Sequence, residues 1–327
     1  MKLRSIKNIN VRGKKVILRV DFNVPVEKGK VEDDFRIKRT LPTINLLKKK
    51  GAKIILTSHT TKKNGTLRPM AKYLKIKFIP DLKLGNIKNG EVVLLENIRN
   101  YPGEEKNDPK FAQKLAQLGD IYINDAFSAS HREEASIINI TKYLPSYAGL
   151  LFENELKNLQ ATFKPRHPFL LILGGVKFKS KLGVVNKFLH IADKIFIGGA
   201  LAVKALQMSI AKNPKIIFPV GDPAALDANT ETLKILKKII KKAKFILWNG
   251  PLGDYENGFK KGTVEIAKII AKSKAQSIIG GGDTVAAVRK FGIPLKKFSF
   301  VSTAGGALLE FLAKGTLPGI KALEKRG

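Results

Sequence analysis

In the segment Val16-Ile-Leu-Arg-Val-Asp-Phe-Asn-Val-Pro25, charged and amide side chains take every second place in an otherwise apolar run. Read as a strand, it sets Arg19, Asp21 and Asn23 on one face and Val20 and Phe22 on the other, and three polar groups sharing a face need partners. Other apolar runs close in the same way, with Ser58-His59, Glu96-Asn97-Ile98-Arg99 and Asn124-Asp125, followed shortly by His131-Arg132, while Arg36 opens a helix. Only 11 of the 60 Lys and Arg residues are arginine, yet Arg19, Arg36, Arg99 and Arg132 all occupy such positions. The planar guanidinium fork suits bidentate binding of a carboxylate or phosphate in a way that lysine does not. Two readings stand side by side. The arginines form structural ion pairs with Asp21, Asp125 and Glu96, with Arg19 to Asp21 the foremost of these, or four arginines and His59 converge on a small anion.

The second half of the chain ends its apolar runs in glycine: Gly174-Gly175, Gly198-Gly199, Asn249-Gly250-Pro251, Gly280-Gly281-Gly282-Asp283-Thr284 and Gly305-Gly306. Glycine there lets backbone N–H groups approach phosphates, and a following helix N-terminus adds partial positive charge. One such pair is an ordinary tight turn, but five in register point to a nucleotide. Asp283 either holds Mg2+ or caps the helix, and Thr284 can donate to a phosphate oxygen. No Gly-x-x-x-x-Gly-Lys-Ser/Thr sequence occurs, so the nucleotide is not held by a P-loop. Lys177 and Lys181, four apart after Gly174-Gly175, suit a β- or γ-phosphate, or are two of the 49 lysines with no such role.

These residues require a scaffold that brings strand ends together. Short β-branched runs alternate with stretches of helical period along the whole chain, the signature of parallel α/β architecture. Strands are expected at 16–23, 53–58, 77–80, 91–96 and 121–125, then at 169–173, 194–197, 215–220, 245–248, 277–279 and 298–301. Between the sets, residues 145–163 carry spaced leucines without a strand and are stopped by Pro165 and Pro168, which predicts a long linking helix. The fold class expected is α/β, with two doubly wound parallel-sheet (Rossmann-like) domains joined by that helix and a ligand cleft between them. A length of 327 residues suits two domains. No apolar stretch reaches the roughly 20 residues of a membrane helix. The start Met1-Lys2-Leu3-Arg4-Ser5 has no apolar signal core and there is no cysteine, so a cytoplasmic protein without disulfides or thiolate metal sites is expected. The net charge of +33 predicts a polyanionic partner, yet the lysines are scattered in short runs. In the stretch 232–243, Leu233, Leu236, Ile239 and Ile240 keep helical spacing and leave lysines on the solvated face.

Taken in order, these segments resemble the phosphoglycerate kinase family from about residue 5 to residue 323. The carrying motifs are Arg19-Val-Asp21-Phe-Asn23-Val-Pro25, Asp33-Asp34-Phe-Arg36-Ile, Ser58-His59, Leu94-Leu-Glu-Asn-Ile-Arg99, Asn124-Asp-Ala-Phe127 and His131-Arg132. They continue in Gly174-Gly-Val-Lys177-Phe-Lys-Ser-Lys181, Trp248-Asn-Gly-Pro251, Gly280-Gly-Gly-Asp-Thr284 and Leu317-Pro-Gly319. The resemblance implies a glycolytic and gluconeogenic kinase that moves a phosphoryl group reversibly between MgATP and the carboxylate of 3-phosphoglycerate, giving ADP and 1,3-bisphosphoglycerate. By resemblance, residues 1–150 hold 3-phosphoglycerate through Asp21, Asn23, Arg36, His59, Arg99 and Arg132, and 151–168 link the domains. Residues 169–311 hold MgATP through Lys177, Lys181, Asn249, Glu256, Gly281, Gly282, Asp283 and Thr284, with Asp283 on the metal. Glu256 would take the ribose, Gly174, Gly175, Gly198 and Gly199 would wall the adenine, and 312–327 would return to the first domain. A carboxylate nucleophile needs no general base, so catalysis is expected from Arg36 and Lys181, with Mg2+ and the helix N-terminus after Gly305-Gly306, in a hinge-bending monomer.

Four positions depart from the family pattern. Lys62 stands where the family usually has a phosphate-binding arginine, Ser180 replaces an aspartate, and Ala304 interrupts a triple glycine. The chain is also short for the family, with a deletion expected between Val220 and Thr232 that removes part of the wall beside the nucleotide. These departures keep a catalytically impaired nucleotide-binding homologue as an alternative. A nucleic-acid-binding protein is the other, with any such contact nonspecific at most, because the lysines are scattered and the aromatics unclustered.

Overall fold

The computed structural model describes residues 3–62, 64–176 and 178–324. The chain divides into two compact units, one running to Leu156 and resuming at Thr316, the other Lys157–Gly315.

In the first unit the chain forms β1 (Lys15–Arg19), a small hairpin of β2 (Val26–Glu27) and β3 (Lys30–Val31), and helix α1 (Phe35–Lys49). There follow β4 (Lys53–Thr57), α2 (Arg68–Leu74), β5 (Lys77–Ile79), β6 (Val92–Leu95), α3 (Pro109–Ala116), β7 (Ile121–Asn124), β8 (Ser146–Ala148) and α4 (Leu150–Gln160). Six of the strands make one parallel sheet in the order β5-β6-β4-β1-β7-β8. Its central strands are apolar on both faces and almost wholly buried, as a sheet covered on both sides demands. The chain moves outward from β1 in one direction through β4 and in the other through β7, so the switch point lies beside β1, and its strand ends are Arg19, Thr57 and Asn124.

The second unit repeats the plan with β9 (Phe169–Leu173), α5 (Phe178–Phe188), β10 (Lys194–Ile197), α6 (Ala200–Leu206), β11 (Ile216–Ile217) and α7 (Thr230–Lys242). It continues with β12 (Phe245–Asn249), α8 (Lys261–Lys272), β13 (Gln276–Gly280), α9 (Gly282–Lys290), β14 (Phe300–Val301) and α10 (Gly306–Lys314). The sheet is parallel in the order β11-β10-β9-β12-β13-β14, with its switch point between β9 and β12. Helix α7 buries Leu233, Leu236 and Ile240 and turns its lysines to solvent. A last helix, α11 (Pro318–Leu323), belongs to the first unit.

Several expected boundaries are corrected. The strand expected at 16–23 ends at Arg19, because both neighbours stop level with it: Arg19 pairs with Thr57 of β4 and Asn124 of β7. Asp21 and Asn23 therefore lie in an irregular segment rather than on a strand face. Residues 145–163 are not one long helix. Ser146–Ala148 adds a parallel edge strand to β7, too short to read in the sequence, and α4 then covers 11 residues before a 3-10 turn at Ala161–Phe163. The strands expected at 215–220 and 298–301 shrink to two residues each.

Candidate active site

At the switch point of the first unit, Asp21 is nearly buried and gathers its neighbours. Its Oδ2 accepts from Arg36 Nη1 at 3.0 Å and from the Ser128 hydroxyl, and its Oδ1 accepts from the Asn23 amide at 3.0 Å. Burial would raise the Asp21 carboxyl, but Arg36, His59 and these hydrogen bonds outweigh it and hold the group well below the usual carboxylate range. Arg36 Nη1 also donates to the Asn23 carbonyl at 3.1 Å, and its side chain keeps 25% exposure. The Asn23 side-chain oxygen accepts from the Thr61 amide at 3.2 Å, which joins this cluster to the loop after β4.

His59 is buried, and burial together with Arg19 pushes its pKa down to about 3. Arg19 Nη2 lies 3.2 Å from His59 Nδ1, so that nitrogen accepts and the ring is neutral with its proton on Nε2. His59 is thus a neutral donor rather than a cation.

The expected pairing of Arg19 with Asp21 does not occur. Arg19 is fully buried and donates to Ser136 Oγ at 2.8 Å and to the Val20 carbonyl at 2.6 Å, with Glu134 at 3.5 Å. Glu134 also meets Arg99, whose Nη2 donates at 2.5 Å, and Arg132 at 3.6 Å. Neither Asp125 nor Glu96 pairs with these arginines: Asp125 accepts from the Leu151 and Phe152 amides at the start of α4, and Glu96 accepts from Thr66 Oγ1 and the Leu67 amide. Arg99 and Arg132, with Lys62 and Asn97, line a recess of about 580 Å3. The structure therefore sorts the predicted acceptor residues into two groups, Asp21–Asn23–Arg36–His59 and Lys62–Arg99–Arg132, both around the Thr60–Lys62 backbone. Sequence reasoning missed Ser128 and Glu134. Two successive acids directly after His131-Arg132, in so basic a chain, were a usable signal for Glu134.

In the second unit the glycine turns fit one another. A Cβ on Gly174 would meet the Pro251 carbonyl oxygen, and Gly250, at φ +98, would meet the Gly174 carbonyl, so the turns after β9 and β12 pack backbone to backbone at the switch point. Asn249 Nδ2 donates to the Gly280 carbonyl at 2.9 Å and the Thr284 hydroxyl accepts from the Gly250 amide at 2.7 Å, which binds in the turn after β13. Lys181, on α5, is buried and its Nζ donates to the Gly174 carbonyl, beside Gly175. Lys177 lies outside the described residues. Gly281 precedes α9, Gly282 and Asp283 stand exposed in its first turn, and Asp283 does not cap it. Glu256 is exposed in the 3-10 turn Tyr255–Asn257. Beside Gly198 and Gly199, Phe196, Pro219, Val220, Ala228 and Leu252 enclose a crevice of about 10 Å3, room for one water and not for a purine. The short segment before α7 closes this crevice: Asn229 caps α7 at Thr232 and donates to the Val220 carbonyl, and Asp227 accepts from the Gly262 amide. Ala304 does not take a positive φ, so the substitution of alanine for glycine carries no backbone strain.

Two doubly wound parallel sheets, one with arginines and a buried Asp gathered beyond its switch point, the other with interlocked glycine turns at a helix N-terminus, define a two-unit α/β protein built to hold anions. The sequence model described as phosphoglycerate kinase matches residues 6–215 and 208–315. Phosphoglycerate kinases of Pseudothermotoga lettingae and of Borrelia garinii are each 39% identical, over 99% of this chain and 99% and 100% of theirs. The structure of phosphoglycerate kinase from Coxiella burnetii superposes with a TM-score of 0.86 at 32% identity, covering 99% of this chain and 100% of that one. That from Pyrococcus horikoshii gives 0.88 at 29%, covering 98% of each. The chain belongs to the phosphoglycerate kinase family. Its alignment to the Pseudothermotoga protein runs over 393 positions against 327 residues here, and the two family matches meet at 208–215, ahead of the place where the deletion was expected. Neither alternative kept open by the sequence, the impaired homologue or the nucleic-acid-binding protein, gains support from these relatives.

Proposed function

We propose that the chain catalyses reversible phosphoryl transfer between MgATP and the carboxylate of 3-phosphoglycerate, with the acceptor held by the first unit and the nucleotide by the second. The observation that carries the assignment of groups is the Asp21–Arg36 pair beside a recess walled by Arg99 and Arg132. In this reading Lys62, Arg99 and Arg132 take the phosphate end of the acceptor, while Asn23, His59 and Arg36 face its glycerate end and Asp21 fixes Arg36. Lys177, Lys181, Asn249, Glu256, the Gly174-Gly175, Gly198-Gly199 and Gly281-Gly282 turns and Thr284 serve the nucleotide. The purine cannot enter the crevice beside Gly198 as it stands, so the segment before α7 has to give way for it.

An acceptor carboxylate oxygen attacks the γ-phosphorus while the bond from that phosphorus to the ADP oxygen breaks. Both the nucleophile and the leaving phosphate are anions at neutral pH, so no proton moves and no general base is needed. The work left to the protein is to align acceptor and donor and to offset negative charge on the transferred group, which falls to Arg36 and Lys181. Because those residues belong to different units, turnover requires the two bound substrates to meet, and exclusion of water at that moment prevents ATP hydrolysis.

Among the described residues no three His, Asp or Glu side chains form a metal cage. A single exposed carboxylate, Asp283, at the start of α9 fits Mg2+ that arrives on the nucleotide phosphates, as Mg2+ usually does. Held there by Asp283, it would supply charge neutralisation for the phosphates of the nucleotide. No described helix is long and apolar enough to cross a membrane. A cytoplasmic, monomeric enzyme is part of the same proposal.

The test is ADP formation from ATP, 3-phosphoglycerate and Mg2+ in a coupled assay, with Arg36→Ala and Lys181→Ala beside the wild type. Turnover by the wild type that falls by about 10²–10³ in each variant is expected. Equal rates in all three would refute the assignment.

A further inference from the structure

Three arginines share one carboxylate beside the acceptor recess, and their order of burial gives that carboxylate a direction. Arg19 is wholly buried and fixed by Ser136 Oγ and the Val20 carbonyl, so it is an immobile post. Glu134 Oε2 lies 3.5 Å from it, and Oε1 is thereby turned toward Arg99, at 2.5 Å, and Arg132, at 3.6 Å. Arg99 is 8% exposed and Arg132 is 38% exposed, and both line the recess. Among the described residues Arg99 Nε has no hydrogen-bond partner, the nearest carboxylate being Glu105 at 3.6 Å. Without Glu134, three guanidiniums would face one another with no shared counter-charge and would separate. With it, the three arginines set against Glu134 and Glu105 keep one positive charge, and Lys62 on the same recess brings the surplus to two, a match for a phosphate that carries about −1.5 to −2 near neutral pH.

We infer that Glu134 is the positioning residue of the acceptor site, setting Arg99 and Arg132 from the buried Arg19 so that they are in place before the phosphate arrives. The inference rests on reading this recess as the phosphate end of the acceptor site. Glu134 does not touch the reacting atoms, so its loss acts on acceptor binding and leaves the chemistry of the bound complex and the nucleotide site alone.

Steady-state kinetics on Glu134→Gln, Glu134→Asp and Arg132→Ala separate the possibilities. Glu134→Gln is expected to raise KM for 3-phosphoglycerate roughly tenfold, the scale of losing one partner of a buried charge pair, with KM for ATP and kcat within about twofold of wild type. Glu134→Asp, which keeps the charge on a shorter stem, should fall between the two. An unchanged KM for 3-phosphoglycerate in Glu134→Gln overturns the inference, and so does a loss spread equally over kcat and both KM values, since that is what a purely structural residue would give. Should Glu134→Gln not fold, Glu134→Asp decides: a KM rise confined to 3-phosphoglycerate supports the inference and a wild-type KM overturns it. If Arg132→Ala raises that KM while Glu134→Gln does not, only the role of Glu134 fails; if neither does, the reading of the recess fails with it.

Discussion

At the residue scale, the first unit holds its charges in unequal states. His59 is neutral because burial and Arg19 both oppose its proton, whereas Glu104, buried and bonded to the Ser136 amide and hydroxyl, is pushed up to about 7 by burial. The two affect stability in opposite directions. His59 binds its proton more weakly in the folded state than in the unfolded, so its contribution is complete above about pH 6.5 and is lost as pH falls toward 3. Glu104 binds its proton more tightly when folded, so its contribution is complete below about pH 4.5 and is lost as pH rises toward 7. Glu104→Gln removes the second effect, and its stability relative to wild type should be more favourable at pH 8 than at pH 5. Urea unfolding at the two pH values measures the difference, with a slope of at most about 1.4 kcal/mol per pH unit. A difference independent of pH would show that Glu104 is ionised in the folded state. The sequence made Arg19, Arg36, Arg99 and Arg132 visible as scarce residues at run ends, but not their common partner, because Glu134 meets Arg19 across 115 positions of chain.

At the element scale, the glycine turns of the second unit serve packing before they serve a ligand. The turns after β9 and β12 are in contact through backbone, and no space for a Cβ remains at Gly174. Gly174→Ala should cost about 1–3 kcal/mol, the range for overpacking, seen as a lower urea midpoint, and should weaken ATP binding through the displaced Lys181. In the first unit, Lys50 at the end of α1 donates to the carbonyls of Ile6, Lys7 and Ile9 at 2.6–3.1 Å and pins the N-terminal segment. Lys50→Met keeps the stem and removes the donors, and should lower stability by about 1–2 kcal/mol without changing either KM. Strand positions were legible because buried parallel strands read as apolar runs. Where each strand stops was less so: β1 ends at Arg19 because its neighbours end there, a fact of pairing that no single run contains.

At the scale of the whole molecule, the net charge of +33 far exceeds what the acceptor and nucleotide contacts use. Lysines such as those of α7 lie on solvated faces, where like charges repel one another and attract both anionic substrates over the range of a Debye length. Raising salt from about 0.02 to 0.3 M, which shortens that length severalfold, should therefore raise the melting temperature while raising KM for ATP and for 3-phosphoglycerate. A melting temperature that falls with salt would place the surplus in stabilising ion pairs instead.

The order of motifs, the alternation of runs and the glycine at run ends were sufficient in one dimension to determine a doubly wound α/β plan and the phosphoglycerate kinase family, since each depends on residues near one another in the chain. Tertiary structure alone decided which charges pair. Asp21 takes Arg36 and Ser128, Arg19 takes Glu134, His59 is held neutral, and Gly174 meets Pro251. Each of these pairings sets a distance, a burial or a proton between segments remote in sequence, and such quantities exist only once the strands have been brought side by side.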